Sequence, residues 1–380
     1  MRIGLFTNNY LPFCGGVSIS LETLRRGLEA RGHAVWIIAP GARQVVPDPA
    51  VLRYPSVPAA TYPEFSLPLP IAPRISRRVR ALGLDVFHAH HPFLLGPVAR
   101  RLARRADRPL VFTYHTRYEK YAHYIPLQRR LVEAAAIRLS TAFAASADAV
   151  IAPSQAVRQT LAVRGVATPV EVIPTGVDVK RFCPGGARAA RLVLGLPPED
   201  PLLVYVGRLD REKSIERILT AFTHVQSTAP HARLALVGRG TESGRLQAMA
   251  RALPAADRIT FLSARPHDTL PVCYQAADVF LFASETETQG LVLAEAAACG
   301  VAAVSVTGPG CDEVVRDGES GVLTKPEPAA LADAAISLLV DGERRHRMGA
   351  RAREIAEREF DARLQIDRTL ALYERVCRPR

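Results

Sequence analysis

At 380 residues the chain exceeds what one hydrophobic core usually serves, so two domains are expected. Its 48% hydrophobic and 23% charged content is that of a globular protein and excludes extended disorder. The net charge of +12 is one-sided: residues 1–190 carry 25 Lys+Arg against 11 Asp+Glu, whereas residues 191–380 carry 24 against 26.

Strand-like runs alternate with helical patterns from the N-terminus onward, the signature of α/β domains with parallel sheets covered by helices. In the first half, strands are expected at 2–6, 34–38, 85–89, 110–114, 149–152 and 170–173. Helices are expected at 17–31, where Val17, Leu21, Leu24 and Leu28 share a face and Gly32 is a stop, and at 92–105 and 128–146. The stretch 55–73 holds six prolines and little periodicity, and reads as an ordered but irregular excursion. After VIPTGVDVKRFCPGG (172–186) a second series follows, with strands at 202–206, 232–237, 259–262, 279–282 and 301–305. Apolar runs such as LLVYV and LALV suit strands buried on both faces. Helices are expected at 215–227, 242–252, 270–275 and 291–299, and from 328 to 378 with a break near Gly342. The expected domains are 1–173 and 187–360, joined by a linker at 174–186.

The arginines of the first half cluster at 74, 77, 78 and 80, at 100, 101, 104, 105 and 108, and at 129 and 130. A basic surface of this kind suits an anionic bilayer or nucleic acid. No apolar run reaches the eighteen or so residues of a membrane span. The start, MRIGLFTNNYLPFCGG, lacks signal-peptide architecture. The six cysteines have no CxxC spacing, which points away from disulfides or structural zinc and towards a reducing cytoplasm.

Four residues of the second half carry the most specific chemistry. Arg208 and Lys213 lie in VGRLDREKS at the end of strand 202–206, where open αβ sheets bind ligands. A planar fork and a compact ammonium suit the oxygens of a diphosphate. Asp210, Arg211 and Glu212 lie among them, so a solvated salt-bridge cluster is the alternative. In SETETQGLVLAEAAACG (284–300), Glu287 falls in the turn before a short helix and Glu295 on it, about one turn past its start, where it can face a cleft. Carboxylates there suit sugar or ribose hydroxyls. The amides of Gly290 and Leu291 at the helix start suit phosphate or sugar oxygens. First-turn acids that favour the helix dipole, with Glu295 on the surface, would be the ordinary explanation.

The first half offers weaker signals. Gly15–Gly16 precede a helix, where glycine permits positive φ and close backbone approach of an anion; a tight loop needs no ligand. GxGxxG is absent at this first strand–helix junction. HAHHPF (88–93) and YHTRYEKYAHYIP (114–126) both follow strands. His88 and His90 lack the further oriented ligand that a metal site needs, so packing or hydrogen bonding is the simpler role for His88. His115 follows a strand end where its imidazole could reach a reacting sugar, or act as a cap. Tyr114, Tyr118, Tyr121 and Tyr124, with His123 and Arg117, form an aromatic-basic cluster that either binds an acceptor or packs one helix on its neighbour.

Taken together, Gly15–Gly16, RGHAVWIIAP, HAHHP, PTGVDVKRF, VGRLDREKS, LVGRG, AADVFLFAS and the Glu287/Glu295 pair resemble the retaining glycosyltransferases of family 4 over nearly the whole chain. The resemblance implies the GT-B fold, two Rossmann-like domains facing across a cleft, with the last helix, roughly 361–377, returning to the N-terminal domain. It implies that Arg208 and Lys213 bind the donor diphosphate, that Glu287 contacts the transferred sugar and that Glu295 contacts the ribose. Gly16 would lie against the phosphate, His115 would face the donor sugar and the nucleobase would meet backbone near Arg265. Gln289 and Ala302 depart from the usual aromatic residue and proline.

HTRYEKYAHYIP looks most like the membrane-associated enzymes that glucosylate diacylglycerol. The expected activity is transfer of a hexose, glucose foremost, from a nucleotide-sugar to a membrane lipid hydroxyl, with Tyr118, Tyr121 and Tyr124 at the acceptor. No metal or cofactor is required, Mg2+ being at most stimulatory. The expected partners are the nucleotide-sugar donor, an anionic membrane surface and the lipid acceptor, with no nucleic acid and no stable protein partner. The expected location is cytoplasmic, peripheral on the inner face of the plasma membrane. A mannosyl- or galactosyltransferase with another acceptor, a nucleotide-sugar epimerase on the same frame, and a basic interaction module remain the alternatives.

Overall fold

The computed structural model describes residues 1–13, 15–42, 47–59, 65–125 and 127–378. Its backbone contacts divide the chain into one unit of Met1–Gly176 with the segment from Ala362, and a second of Val177–Asp361. The segment 174–186, expected as a linker, divides at Gly176: Val177, Val179 and Phe182 are buried in the core of the second unit.

The first unit is built on β1 (Arg2–Phe6), β2 (Ala34–Pro40), β3 (Val51–Tyr54), β4 (Ser56–Pro58), β5 (Ser66–Pro68), β6 (Val86–Ala89), β7 (Leu110–Thr113), β8 (Ala149–Ala152) and β9 (Val170–Val172). Seven of these form a parallel sheet in the order β3-β2-β1-β6-β7-β8-β9. Its helices are α1 (Gly16–Glu29), α2 (Pro73–Ala81), α3 (Leu95–Ala106), α4 (Arg129–Ala145) and α5 (Gln155–Val163). The core lies on both faces of the sheet, which is why the interior strands are apolar end to end. The chain's last helix, Ala362–Cys377, packs on α1: a Cβ at Gly27 would fall 2.0 Å from Ile366 Cδ1. The ion pair Arg31–Asp367 (2.6 Å) and the bond from Gly176 N–H to Gln365 Oε1 (2.8 Å) hold its N-terminal turns.

The second unit has six parallel strands in the order β12-β11-β10-β13-β14-β15: β10 (Leu202–Val206), β11 (Arg233–Val237), β12 (Ile259–Leu262), β13 (Val279–Phe282), β14 (Ala303–Val306) and β15 (Gly321–Thr324). Around them lie α6 (Ala187–Val193), α7 (Ile215–Thr228), α8 (Ser243–Arg251), α9 (Pro271–Gln275), α10 (Leu291–Ala298), α11 (Cys311–Val314), α12 (Pro328–Val340) and α13 (Gly342–Glu359). In each unit the strand order reverses beside its first strand, the doubly wound pattern that places ligands at strand C-termini.

The stretch 55–73 is more regular than its prolines suggest. β4 pairs antiparallel with β5, and Pro73 opens α2 at the position where its missing N–H costs nothing. Two three-residue strands leave no periodicity to read. β3, β15, α2, α5, α6 and α11 were likewise not expected.

Candidate active site

The second unit brings the predicted cations and acids together. β10 ends at Gly207, and β11 ends at Gly238 with φ +144°, where a Cβ would fall 1.9 Å from the Gly207 carbonyl oxygen. Only glycine lets the two strand ends lie this close. The Leu209 N–H then donates to the Arg239 carbonyl (3.0 Å) and the Glu242 N–H to the Leu209 carbonyl (2.9 Å), fixing the loop that carries Arg208.

From that loop Arg208 Nη1 donates to Asp210 and Nη2 to Glu212 (2.6 Å). Asp210 is itself fully enclosed and accepts the N–H (2.7 Å) and hydroxyl (2.9 Å) of Thr241. Lys213 Nζ donates to Glu287 Oε1 across 74 residues of sequence. Burial pushes the Glu287 carboxyl up, but the Lys213 charge and hydrogen bond outweigh it and hold the group below its usual range. The two cations are therefore aimed by carboxylates, and of the cluster offered as the alternative Asp210 and Glu212 are buried, Arg208 and Lys213 half-buried and Arg211 exposed. On these carboxylates Arg208 engages two of the five donors of a guanidinium and Lys213 one of the three of an ammonium.

Glu287 leads into α10 through Gly290, whose φ of +80° favours glycine; a Cβ there would also press Leu293 at 3.0 Å. Its N-cap residue, Gly290, supplies no side-chain cap. Its first amides, Leu291 among them, lack intrahelical acceptors and carry the positive end of the dipole.

Glu295 does not face outward from α10. It is 2% exposed, with Oε1 bonded to His267 Nε2 (2.7 Å) and Oε2 accepting the Tyr274 hydroxyl (2.5 Å). Burial and the adjacent carboxylate push the Tyr274 hydroxyl well up, so it stays a donor. Beside β10–β12, Leu209, Gly238, Arg239, Gln247, Phe261 and Ala264 are among the residues lining a hollow of about 290 Å3. Arg265, half-buried in the loop after β12, is the next residue beyond that wall.

In the first unit Gly15 has an extended backbone (φ −156°, ψ 169°) and Gly16 begins α1, so neither needs positive φ, contrary to expectation. Gly15 N–H donates instead to Ser18 Oγ (2.9 Å). A Cβ at Gly16 would meet none of the described residues within 4 Å.

The histidines form one neutral cluster. His88 is bonded at both nitrogens, to Tyr373 Oη (2.5 Å) and Thr113 Oγ1 (2.7 Å), which fits the hydrogen-bonding role. His91 Nδ1 accepts the Asn8 N–H (3.1 Å). His90 Nδ1 lies 2.9 Å from His115 Nε2, with the rings stacked at 5.1 Å. Burial pulls His115 down to about 4 and His91 to about 3, and holds His88 and His90 well below the usual imidazole value. Among the described residues no group of His, Cys, Asp and Glu has metal-holding geometry. His90 Nε2 is buried without a partner. A lone pair left unpaired costs less than a trapped N–H, so the proton between the rings belongs to His90 Nδ1, and His115 accepts it.

Tyr118 packs edge-on against Phe93 (5.1 Å) and Tyr114 (5.7 Å), taking the packing alternative. Tyr121 is half-buried in the same 3-10 segment, Tyr118–Tyr124. The side chain of Tyr124 lies outside the described set, as does Pro126.

His267 and Tyr274 were not singled out in advance. Asp210 and Glu212 were noted only as acids interleaved with the cations they hold, and His90 only as a metal ligand lacking partners.

Comparison with known proteins bears on the whole chain. Residues 14–181 match the Glycosyltransferase Family 4 model, and residues 188–355 match Glycosyl transferases group 1. The chain is 31% identical to the alpha-monoglucosyldiacylglycerol synthase of Streptococcus pneumoniae, over 96% of this chain and 84% of the relative. It is 30% identical to the GDP-mannose-dependent alpha-mannosyltransferase of Mycobacterium tuberculosis, over 99% and 97%. Among solved structures, sucrose-phosphate synthase from Thermosynechococcus elongatus superposes with a TM-score of 0.83 at 26% identity, covering 99% of this chain and 98% of that one.

Proposed function

The chain belongs to glycosyltransferase family 4 and has its GT-B fold, and from that premise we propose that it transfers glucose, with retention, from a nucleoside diphosphate sugar to the hydroxyl of a membrane lipid such as diacylglycerol. Family membership makes it a glycosyltransferase rather than an epimerase or a basic interaction module. The observation that carries the donor assignment is Lys213 held on Glu287 beside the uncapped start of α10, with Arg208 braced by Asp210 and Glu212.

In this reading the diphosphate lies against Arg208, Lys213 and the Gly290–Leu291 amides. Glu287 accepts from sugar hydroxyls and Glu295, steadied by His267 and Tyr274, accepts from the ribose. The base occupies the hollow short of Arg265. As the bond from the anomeric carbon to phosphate breaks, charge grows on the leaving oxygen, and donors already aimed at it lower the barrier. The acceptor oxygen bonds to that carbon, and its proton passes to the leaving phosphate. The cations and amides take the role a divalent metal would otherwise fill.

The membrane assignment is supported by α4. Its exposed residues include Arg130, Leu131, Ala134, Ala135, Arg138, Leu139, Ala142 and Ala145, with Leu131 66% and Leu139 55% exposed and no acid among those eight. The arginines of α2 at 74, 77, 78 and 80 are exposed as well. Apolar and basic side chains together suit an anionic surface, where each cation contributes up to about 1 kcal/mol. No helix among the described residues is long and apolar enough to cross a membrane.

A second reading replaces glucose by mannose and uridine by guanosine, favoured by the likeness to the GDP-mannose-dependent relative. Incubation with UDP-glucose, UDP-galactose or GDP-mannose and mixed membrane lipids, followed by mass spectrometry, separates the two. A hexosyl-diacylglycerol formed from UDP-glucose, with the α configuration by proton NMR, is the expected product. Donor consumption with no glycolipid refutes the lipid acceptor.

A further inference from the structure

The donor reading gives the ribose hydroxyls to Glu295 and leaves open what makes so buried a carboxylate a usable acceptor. We propose that His267 and Phe182 are positioning residues for that group. His267 holds Glu295 through its Nε2–H, and Phe182, itself out of reach of any ligand, braces the two donors that grip the carboxylate. The inference rests on Glu295 meeting the ribose.

Glu295 lies in the apolar run LVLAEAAA of α10, where Leu293, Ala294, Ala296, Ala297 and Ala298 are all buried. A carboxylate without partners would be strongly penalised there. Among the described residues no Lys or Arg pairs with it; the Tyr274 hydroxyl takes one oxygen and His267 Nε2 the other. At 2.7 Å from a carboxylate oxygen, Nε2 must carry a proton whatever the state of Nδ1. A carboxylate has about four lone-pair sites, so each oxygen keeps one for an incoming hydroxyl. Two such acceptors side by side match the vicinal hydroxyls of a ribose.

Both donors come from one short stretch. His267 opens the 3-10 turn His267–Thr269, which leads through Leu270 into α9, and Tyr274 lies on α9. The Thr269 hydroxyl closes the turn on the Pro266 carbonyl (2.9 Å). Because this stretch directly follows Arg265, the His267 bond ties the loop given to the base to the helix given to ribose and phosphate. Phe182 lies against both donors, its ring centre 5.1 Å from that of His267 and 5.9 Å from that of Tyr274. It is fully buried. Its backbone is pinned to both helices. Arg353 Nη1 donates to the carbonyls of Phe182 (2.7 Å) and of Ala298 (2.5 Å) at the end of α10. Gln275 Nε2, at the end of α9, donates to the Cys183 carbonyl (2.8 Å). The ring is thus fixed to the two elements that meet at Glu295.

The test measures nucleotide binding to the full chain by calorimetry, comparing UDP with its 2′-deoxy analogue and GDP with its own, beside steady-state kinetics with the donor that turns over. The unsubstituted protein should prefer the ribo form by about tenfold, the size expected for one hydroxyl bound by a charged group. In His267→Ala and Phe182→Leu that preference should shrink to about twofold or less. Donor KM should rise while kcat stays within about twofold, since the lost contact is made alike in the ground and transition states. His267→Gln, whose amide nitrogen falls near the place of Nε2, should restore the preference; His267→Asn, whose amide falls nearer Nδ1, should not. A purely structural role would weaken both forms alike and leave their ratio unmoved. If Phe182→Leu does not fold, the His267 series decides alone. An unchanged ratio in His267→Ala, beside a clear ribo preference in the unsubstituted protein, overturns the proposal and leaves the donor reading standing. Equal binding of both forms by the unsubstituted protein, or binding of neither, refutes the donor reading of Glu295 and this inference with it.

Discussion

Replacing Lys213 by methionine keeps the length of the side chain and removes the charge that faces Glu287. The two side chains are 14% and 16% exposed, so Glu287 would be left largely buried without its ion-pair partner, keeping only the Ser284 hydrogen bond and the Arg208 charge. Breaking a fully buried pair costs about 3–5 kcal/mol, and partial exposure brings the expected loss to roughly 2–4 kcal/mol. Glu287→Gln should cost less, because a neutral amide still accepts from the ammonium. The double variant should recover most of the loss, giving a coupling energy of about 2 kcal/mol.

Urea unfolding followed by far-UV circular dichroism would show the Lys213→Met midpoint falling by about 1 M for a slope of a few kcal/mol/M. The single tryptophan, Trp36, lies in the first unit and should report no comparable shift, which makes it an internal control. The pH dependence follows from the depressed Glu287 carboxyl. Its contribution is complete above the ordinary value of 4.5 and is lost as pH falls through the lower folded value. In Lys213→Met burial is opposed only by the Ser284 hydrogen bond and the Arg208 charge, so the loss should begin at higher pH. Equal and additive destabilisation by both variants, with no recovery in the double, would refute the reasoning. Turnover retained in the double variant would remove these residues from the donor site.

The neutral histidine cluster predicts a second acid window. His115 is depressed from 6.5 to about 4, so the folded state binds fewer protons between those values; stability is complete above 6.5 and falls as pH drops towards 4. Unfolding midpoints that stay flat from pH 7 to about 4 would contradict this. His90→Phe should move the His115 proton from Nδ1 towards a mixture of tautomers, visible in the nitrogen-15 imidazole spectrum, and lower kcat more than donor KM. Gly290→Ala places a side chain at φ +80° and should cost about 1–2 kcal/mol by chemical unfolding while weakening nucleotide binding. Leu131→Glu with Leu139→Glu should abolish flotation with anionic vesicles but leave the unfolding midpoint unchanged, since both side chains are exposed.

How far the sequence foretold the structure depended on the range of the interactions. Runs such as Leu202–Val206 are buried along their whole length, so composition alone marks them as interior parallel strands. Val51–Tyr54 is short and half-buried, and β4 and β5 are three residues each, so neither length nor period announced them. Arg208, Lys213 and Glu287 were legible because glycines and strand ends placed them by local rules. The environment of Glu295 was not, because His267 and Tyr274 lie 28 and 21 residues upstream and meet it only through the packing of α9 and the 3-10 turn before it against α10. Gly15–Gly16 show the opposite failure: the pair suggested positive φ, yet Ser18 closes the turn with ordinary backbone angles.

The charge count of the site bears on how such a donor could be held and released. Arg208 and Lys213 are accompanied by Asp210, Glu212 and Glu287, so five charged groups sum to −1. A diphosphate would therefore not be drawn in by net charge. It would be held by directed donors, namely the guanidinium, the ammonium and the amides at the start of α10, whose strength comes from preorganisation rather than from excess positive potential. Such an arrangement favours the moment when charge develops on the leaving oxygen over the resting complex before or after it. It also explains why acids stand among the cations. Without Asp210 and Glu212 the arginine fork would be mobile and the site net positive, gaining affinity for the nucleoside diphosphate product at the expense of its departure.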